Sequence, residues 1–418
     1  MSTARRAKIT PGDPKKRPVN RRTNGSAGSR PWTMIDLFAG CGGMTSGFVA
    51  TNSFDPVMAV EFNFEAAATY AANFGESHTH FADIADIPDS DIPEADVIIG
   101  GPPCQGFSNL GSRDVKDPRN KLWKEYIRFV RHAHPKVFVI ENVDRFFSSS
   151  EFALLQEEAR PGGLLEEYHL EAGFLLAADF GVPQRRKRTI VIGSRIGEIP
   201  LPAPTHSRPG AVDDLPGWHT TRDVLTGLPA VPATTELPDS STLVFGERVR
   251  GVFKTPDLHI GRNPTQLSLD RYRHVPPGGG RFDLPDHLLS RCWREKKTGT
   301  TDVMGRMRWD MPSLTIRTEF YKPEKGQYLH PQWDRDKPSR SVDRPITHFE
   351  AARLQSFPDS FGWCGSKIEI ARQIGNAVPP MLAEALAHHL EPYLAGTVES
   401  TRAPTSLPCR LCAETQTY

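Results

Sequence analysis

Asp96-Val97-Ile98-Ile99-Gly100-Gly101-Pro102-Pro103-Cys104-Gln105-Gly106-Phe107-Ser108 is the stretch that decides the fold. Its first half is an apolar run of the length and composition typical of a buried strand. Two prolines flanked by glycines then fix the backbone in a tight turn, so the thiol of Cys104 is held in place. The end of a central strand is where α/β enzymes carry their chemistry, although a cysteine that only packs is the simple alternative. Cys104 is therefore a candidate nucleophile that needs support from the rest of the chain.

Strands and helices alternate on both sides of this stretch. Apolar runs predict strands at 34–38, 56–61, 96–100, 137–140 and 189–193, and helical periodicity predicts helices that end at Phe48 and span 65–73 and 120–134. Two more helices are expected at 349–355 and 380–394. Strands that alternate with helices predict an α/β fold with a doubly wound, mostly parallel sheet.

The composition changes near residue 197 and changes back near 340. The intervening chain is rich in Pro, Gly, Arg and aromatic residues and has few clear helices. We therefore predict a catalytic and cofactor-binding domain at 31–199 plus 341–396, and a smaller, loop-rich domain at 200–340. A disordered basic arm is expected at 1–30 and a flexible tail at 397–418.

Size and charge limit the class of protein. The chain has 418 residues, a net charge of +1 and 38% hydrophobic residues, which suits an ordinary globular protein with a full core. No apolar run reaches the roughly 20 residues that cross a bilayer, and no secretory signal is evident, so we expect a cytoplasmic protein without a membrane contact. The six cysteines are scattered, and the single CxxC at Cys409 and Cys412 is too weak to predict a metal site. The basic arm is either an aid to phosphate binding or a solubilising tail.

A glycine turn follows the first strand and predicts a nucleoside site. Residues 36–44 read DLFAGCGGM, and Glu61 lies about 20 residues on, the spacing at which a carboxylate reaches ribose hydroxyls. Asp83 and Ile84 could hold an adenine amino group and its ring. The turn is neither GxGxxG nor GxxxxGK[ST], and it has no phosphate-binding lysine. An uncharged or cationic nucleoside is therefore expected, and S-adenosylmethionine fits that description.

Six motifs together resemble those of the DNA (cytosine-5)-methyltransferase family. They are DLFAGCGG at 36–43, GGPPCQGFS at 100–108, ENV at 141–143, QRRKR at 184–188, RLQSFP at 353–358 and GNAVPP at 375–380. They occur in the family's order and span nearly all of 33–394. The resemblance implies a class I S-adenosylmethionine-dependent methyltransferase fold, Rossmann-like, with 200–340 as the target-recognition domain.

The resemblance assigns roles that make chemical sense. Cytosine C5 is too weak a nucleophile to take a methyl group, and attack of the Cys104 thiolate on C6 makes it enamine-like. Glu141 would hydrogen-bond the ring N3 and amine, and Arg186 and Arg188 would clamp the base carbonyl or orient the glutamate and the cysteine loop. The target base must be flipped out of the duplex to reach this site.

The resemblance also implies two groups of binding residues. The expected cofactor contacts are Phe38, Ala39, Gly40, Gly42, Gly43, Glu61, Asp83, Ile84, Gly101, Pro103 and Asn376. The expected DNA contacts are Gln105, Ser108, Arg113, Gln184, Arg306, Arg308 and Arg317, although any single arginine could instead bind only an acidic side chain. The loop at 109–120 is expected to close over DNA.

Double-stranded DNA is the expected partner, and the enzyme is expected to act as a monomer. The expected role is host modification, either beside a restriction or phage-defence nuclease encoded elsewhere or as an orphan methylase without one. A tRNA cytosine-5 methyltransferase is the nearest alternative, and the size of the 200–340 segment argues against it. A DNA-binding regulator is disfavoured by the intact Cys104 and Glu141, and a nicotinamide-dependent oxidoreductase by the glycine turn.

Overall fold

The computed structural model describes residues 30–103, 119–212, 214–295 and 298–398, without the side chains of 119–121. Its strands are β1 (Trp32–Leu37), β2 (Phe54–Glu61), β3 (Thr79–Phe81), β4 (Val97–Gly100), β5 (Val137–Val143), β6 (His169–Leu176), β7 (Gln184–Arg185), β8 (Lys187–Ser194), β9 (Ser241–Val244), β10 (Glu247–Arg250), β11 (Phe253–Lys254), β12 (Gly305–Arg306), β13 (Ser313–Leu314), β14 (Gln327–Leu329) and β15 (Gly362–Trp363). Its helices are α1 (Gly43–Ala50), α2 (Phe64–Phe74), α3 (Arg119–Ala133), α4 (Ser150–Glu158), α5 (Thr221–Leu225), α6 (Gln266–His274), α7 (Arg291–Glu295), α8 (His348–Leu354), α9 (Lys367–Asn376) and α10 (Pro380–Leu394). None of the helices described is long and apolar enough to span a membrane.

A seven-stranded sheet forms the centre of the fold, in the order β3-β2-β1-β4-β5-β8-β6. The first five strands in this order are parallel, whereas β8 runs antiparallel to both of its neighbours. The mostly parallel sheet confirms the expected fold class. The chain places the carboxyl ends of β1, β2, β4 and β5 at one edge, where the functional motifs follow them.

Both faces of the sheet are covered, which explains why the central strands are apolar throughout. Helices α1 and α10 pack on one face through side chains such as Phe48 and Leu386. Helices α3 and α4 pack on the other face, where Trp123 and Phe152 lie among the buried residues. The sheet is therefore doubly wound.

Residues 200–340 contain only short strands and helices. Some of their apolar side chains share a buried cluster with α8 and α9, in which Ile316 and Phe320 pack with Phe349 and Ile374. Others form a separate cluster within the segment. This shared core holds the loop-rich segment against the elements that carry the last two motifs. The domain boundaries predicted from composition stay a prediction.

Helix α1 approaches α10 closely because Gly47 has no side chain. A Cβ at Gly47 would lie 2.3 Å from the Pro380 carbonyl oxygen and 2.4 Å from the Glu384 amide nitrogen. We expect Gly47→Ala to lower the free energy of unfolding by about 1–3 kcal/mol, because these backbone atoms cannot move aside cheaply. This cost outweighs the gain of about 1 kcal/mol in helix propensity.

Chemical denaturation of the two proteins measures this difference. Gly217→Ala is the control, because the described residues leave open space around its Cβ position. An alanine at position 47 that leaves stability unchanged would contradict the close packing of α1 on α10.

Candidate active site

Glu141 lies at the edge of the sheet where the motifs converge. It comes near the end of β5, and the parallel neighbour β4 ends at Gly100, opposite Ile140. A Cβ at Gly101 would lie 3.6 Å from Glu141 Oε2. The predicted catalytic carboxylate therefore borders the turn that leads to Cys104.

Asn142 ties this turn to the strand that carries Glu141. Its side-chain Nδ2 donates a hydrogen bond to the Pro102 carbonyl oxygen at 2.8 Å, and its Oδ1 accepts one from the Val143 amide at 2.8 Å. Both ends of the Asn142 amide are thus used to fix local backbone. The exposed Pro103 is the last residue described before the turn.

Four predicted site residues lie outside the described residues. They are Cys104, Gln105, Ser108 and Arg113. Most of the loop at 109–120 lies outside as well.

Arg188 forms an ion pair with Glu141. The Arg188 Nε and Glu141 Oε1 atoms are 2.8 Å apart, and the two side chains are 11% and 10% exposed. Strand β8 brings them together, because it runs antiparallel to β5 and pairs Arg188 with Val143. The two opposite charges therefore face each other where water has little access, and Glu141 Oε1 accepts no hydrogen bond from the described residues.

Arg186 occupies a different environment from Arg188. It is buried, and its guanidinium donates to the carbonyl oxygens of Ile316 at 3.2 Å and Gly375 at 3.1 Å, with Asn376 O at 3.5 Å. Burial, with the nearby charge of Arg188, lowers the pKa of Arg186 to about 9, so the side chain stays charged at neutral pH. Arg186 therefore joins its own strand region to the segments around Ile316 and Gly375. The predicted clamp on a base carbonyl stays a prediction.

The glycine turn has the backbone geometry of a ligand-binding loop. Phe38, Gly40 and Gly42 have φ angles of 57°, 55° and 87°. A Cβ at Gly42 would lie 2.3 Å from the ring of Phe74, which requires glycine there. A Cβ at Gly40 meets no described atom within 4 Å, so the backbone at Gly40 faces open space. Ala39 is buried under the turn.

Glu61 supports this turn from the end of β2. Its carboxylate accepts hydrogen bonds from the Gly40 amide at 2.9 Å and from the Asn63 amide at 2.7 Å. Burial nevertheless raises the pKa of Glu61 above its ordinary value. The predicted ribose-binding carboxylate is therefore adjacent to the glycine turn, as the spacing implied.

A second acid, Asp36, lies beneath the same turn. Thr45 Oγ1 donates to Asp36 Oδ2 at 2.5 Å and lies 3.1 Å from the Tyr70 hydroxyl. Burial raises the pKa of Asp36 to about 7, and the charge of Glu61 adds to the rise. The carboxyl groups of Asp36, on β1, and Glu61, at the end of β2, therefore both lie at the glycine turn, where residues 36–44 include no basic side chain to bind a phosphate.

The raised pKa of Asp36 predicts a pH-dependent stability. The folded protein binds more protons than the unfolded chain between about pH 4 and pH 7, so the free energy of unfolding falls as pH rises through this range. We expect Asp36→Asn to keep the hydrogen bond to Thr45 and to remove this loss. The variant should gain a few kcal/mol relative to the native chain by about pH 8, at about 1.4 kcal/mol per unit of pKa.

Denaturant unfolding at about pH 5 and about pH 8 tests this expectation. Asp55→Asn, at an exposed position of β2, is the control. The raised pKa of Glu61 leaves a residual slope in every variant. If the free energy of unfolding has the same pH dependence in the Asp36→Asn variant and in the native chain, the raised pKa of Asp36 is contradicted.

The remaining cofactor candidates border the same edge of the sheet. Asp83 is exposed and accepts a hydrogen bond from the Ala85 amide at 3.0 Å, whereas Ile84 is buried. Gly43 begins α1, and a Cβ there would lie 2.4 Å from the Val378 carbonyl oxygen, so the GNAVPP segment packs directly against the turn. Asn376 is exposed at the end of α9.

Phe62 is a further candidate for the cofactor site that the sequence motifs did not single out. This residue follows Glu61 directly, and 74% of its surface is exposed. An exposed aromatic ring beside the predicted ribose-binding acid is suited to stacking on a purine. The signal was present in the sequence, because a strand that ends in an acid followed by an aromatic residue places that ring at the ligand edge.

Two predicted DNA contacts, Gln184 and Arg306, are wrong. Arg306 is 0% exposed, and its guanidinium donates to the carbonyl oxygens of Tyr272, Val275, His330 and Val342. Gln184 is also buried, and its amide is used by Ile316 and Gln355. Neither side chain has a surface that DNA could touch, because both are needed to satisfy buried backbone groups.

Arg308 and Arg317 are half-exposed and remain candidates for DNA contact. Arg308 forms a two-pronged pair with Asp310, at 3.0 and 2.7 Å. Arg317 donates to Lys325 O at 2.8 Å and to Asp302 at 3.0 Å. Asp310 is exposed, whereas the Asp302 side chain is only 16% exposed. A DNA contact by either arginine stays a prediction.

The fold is that of the class I S-adenosylmethionine-dependent methyltransferases. The model of the family described as C-5 cytosine-specific DNA methylase matches residues 32–391. The chain is 33% identical to the Type II methyltransferase M1.HphI of Haemophilus parahaemolyticus over 370 residues, which covers 85% of each chain. It is 31% identical to the Type II methyltransferase M.NgoFVII of Neisseria gonorrhoeae, with 90% of each chain covered.

Two solved structures are similar to this one. A DNA modification methyltransferase encoded within an E. coli prophage has a TM-score of 0.61 and 25% identity, with 87% of this chain and 99% of that chain covered. The S. pombe Dnmt2 methyltransferase has a TM-score of 0.52 and 20% identity, with 86% of this chain and 99% of that chain covered. It shares the fold. The chain belongs to the C-5 cytosine-specific DNA methylase family and is a DNA cytosine-5 methyltransferase.

Proposed function

We propose that this enzyme transfers a methyl group from S-adenosylmethionine to C5 of a cytosine that is flipped out of a specific duplex DNA sequence. The observation that carries this proposal is the pairing of Arg188 with Glu141 beside the turn that Asn142 holds by its Pro102 carbonyl. This arrangement supports a carboxylate, paired with an arginine, beside the turn that leads to Cys104. The family to which the chain belongs supports cytosine C5 as the acceptor.

In this proposal the reaction needs a nucleophile and a proton-handling group on one base. The Cys104 thiolate attacks C6 and forms a carbon–sulfur bond, which moves electron density to C5. Glu141 holds N3 and the exocyclic amine while negative charge develops on the ring. C5 would then form a bond to the methyl group as the bond from that methyl group to the cofactor sulfur breaks. Loss of the C5 proton to a base, with departure of the Cys104 thiolate from C6, would restore the aromatic ring.

The residues at the glycine turn fit the proposed cofactor. Glu61 would hold the ribose hydroxyls, Asp83 the adenine amine, and Phe62 with Ile84 the two faces of the ring. The absence of described atoms within 4 Å of a Cβ at Gly40, and the Glu61 carboxylate bonded to the Gly40 amide, support a nucleoside at this place. The bound cofactor supplies an electrophilic methyl group on its sulfonium.

We place DNA recognition in residues 200–340, with Arg308 and Arg317 as contacts and Gln105, Ser108 and Arg113 beside the nucleophile. The curated relatives are named Type II methyltransferases, which supports a role in protecting host DNA beside a nuclease encoded elsewhere. The enzyme would act as a monomer in the cytoplasm.

Base-resolution sequencing of 5-methylcytosine tests the proposal. DNA from a methylation-free bacterial host that expresses the native chain should carry methylation in one short sequence context. DNA from a host with Cys104→Ser should carry none. An unmethylated genome in the presence of folded native protein would refute an autonomous DNA methylase, and methylation found in the tRNA of that host would favour the RNA alternative.

A further inference from the structure

Buried side-chain amides connect the loop-rich segment to α9. The Ile316 amide donates to Gln184 Oε1 at 2.9 Å, and Gln184 Nε2 donates to Gln355 Oε1 at 2.8 Å. Gln355 Nε2 then donates to the carbonyl oxygen of Ile374. Both glutamines are fully buried. These bonds, which we call the amide chain, join residues that are far apart in sequence.

The amide chain has only one possible direction. A backbone N–H such as that of Ile316 can only donate, and a carbonyl such as that of Ile374 can only accept. Each glutamine amide between them must therefore point its oxygen toward Ile316 and its nitrogen toward Ile374. Bonds aligned in this way in a low-dielectric interior strengthen one another, and a break leaves buried donors and acceptors unpaired.

A second connection runs beside the amide chain. The Arg186 guanidinium holds the carbonyl oxygens of Ile316 and Gly375 together. Gly375 also packs directly on the backbone of the loop-rich segment, because a Cβ there would lie 2.4 Å from the Thr318 amide nitrogen. Residues 316–318 and the end of α9 therefore form one closely packed unit.

The two ends of this unit point to different ligands. Ile316 is followed by Arg317, which is half-exposed and a predicted DNA contact. The end of α9 carries the exposed Asn376, and the following Val378 carbonyl lies against Gly43 at the start of α1. The amide chain thus spans from the proposed DNA face to the proposed cofactor loop.

We propose that Gln184 and Gln355 are positioning residues that couple DNA binding to cofactor binding. When DNA binds and residues 315–317 shift, the end of α9 moves with them. The hydrogen bonds of the amide chain and of Arg186 keep the distance between these two segments nearly constant. Asn376, at the end of α9, and Gly43, at the start of α1, then take the positions in which the protein binds the cofactor with a lower Kd. This inference rests on the proposed function.

Isothermal titration of S-adenosylhomocysteine, the product cofactor, measures the coupling. Its Kd is determined with and without a duplex that contains the methylated sequence, for the native chain and for Gln355→Met. We expect DNA to tighten binding about 5-fold or more in the native chain and less than about 2-fold in the variant. The ratio of the Kd without DNA to the Kd with DNA does not depend on the fraction of active protein. Partial unfolding of the variant therefore cannot produce this result.

Gln373→Met is the matched control. Gln373 is also a buried glutamine on α9, but its amide bonds to the Cys364 carbonyl at 2.9 Å and not to the loop-rich segment. The control variant should keep the native ratio. A native ratio of one, or a ratio that Gln355→Met leaves intact, would overturn the inference.

Hydrogen exchange on the native chain gives a second test that needs no variant. S-adenosylhomocysteine alone should protect the amides of 313–318, although this segment is predicted to face DNA. Unchanged exchange there, with protection at the glycine turn, would overturn the coupling. A protein that neither binds S-adenosylhomocysteine nor methylates DNA would instead refute the proposed function, so the two failures are distinct.

Discussion

Glu141→Gln should lower the rate of cytosine methylation by about 10²–10⁴, the usual contribution of a positioned acid–base group. Glutamine keeps the shape of the side chain and can still place an oxygen beside Arg188. It cannot carry the proton or the charge that the reaction needs at the base. The substitution also removes the counter-charge of the shielded Arg188 guanidinium. In the native chain Glu141 Oε1 lies 2.8 Å from Arg188 Nε. The measurement is transfer of a labelled methyl group from S-adenosylmethionine to unmethylated DNA.

The chain offers a matched control in Glu157→Gln. Glu157 also forms an ion pair with an arginine, Arg160, but the two side chains are 67% and 68% exposed. Exposed pairs contribute little, so this variant should keep native activity and stability. A Glu141→Gln enzyme that stays within about tenfold of the native rate would contradict the catalytic role of the carboxylate.

The central elements could be predicted from sequence because their signals are local. Strands β4 and β5 are apolar runs that end at turn motifs, and α10 begins at Pro380 and is followed by Gly396. The predicted helix at 380–394 is confirmed at both ends. Strand β6 was missed, because an edge strand with one exposed side has a mixed pattern and contains Gly173. Its antiparallel neighbour β8 was expected as a strand but not in that direction.

The site was predictable where one short motif supplies both the residue and its neighbours. Glu61 beside Gly40, and Asn142 beside Pro102, follow from the ends of adjacent parallel strands. The different environments of Arg186 and Arg188 did not follow, because the two arginines are two positions apart and their partners lie in distant segments. Ile316 and Gly375, which Arg186 holds, are 130 and 189 residues away.

Arg306→Ala should lower the free energy of unfolding by about 3 kcal/mol or more. The substitution leaves the buried carbonyl oxygens of Val275, His330 and Val342 without their donor, whereas the Tyr272 carbonyl keeps the Val275 amide. Each orphaned buried acceptor costs about 1–3 kcal/mol before water or local relaxation recovers part of it. Arg306→Lys should recover little, because one ammonium group cannot reproduce the planar fork. Thermal and denaturant unfolding measure the loss.

Arg308→Ala separates this role from DNA binding. Arg308 was predicted from the same motif, but it is half-exposed and pairs only with the surface residue Asp310 among the residues described. Its loss should change stability by less than about 0.5 kcal/mol and should weaken DNA binding. The reverse pattern, with a stable Arg306→Ala protein that binds DNA poorly, would contradict the buried geometry. Two arginines that sequence cannot tell apart therefore differ in a measurable way, because only one of them satisfies backbone groups that water cannot reach.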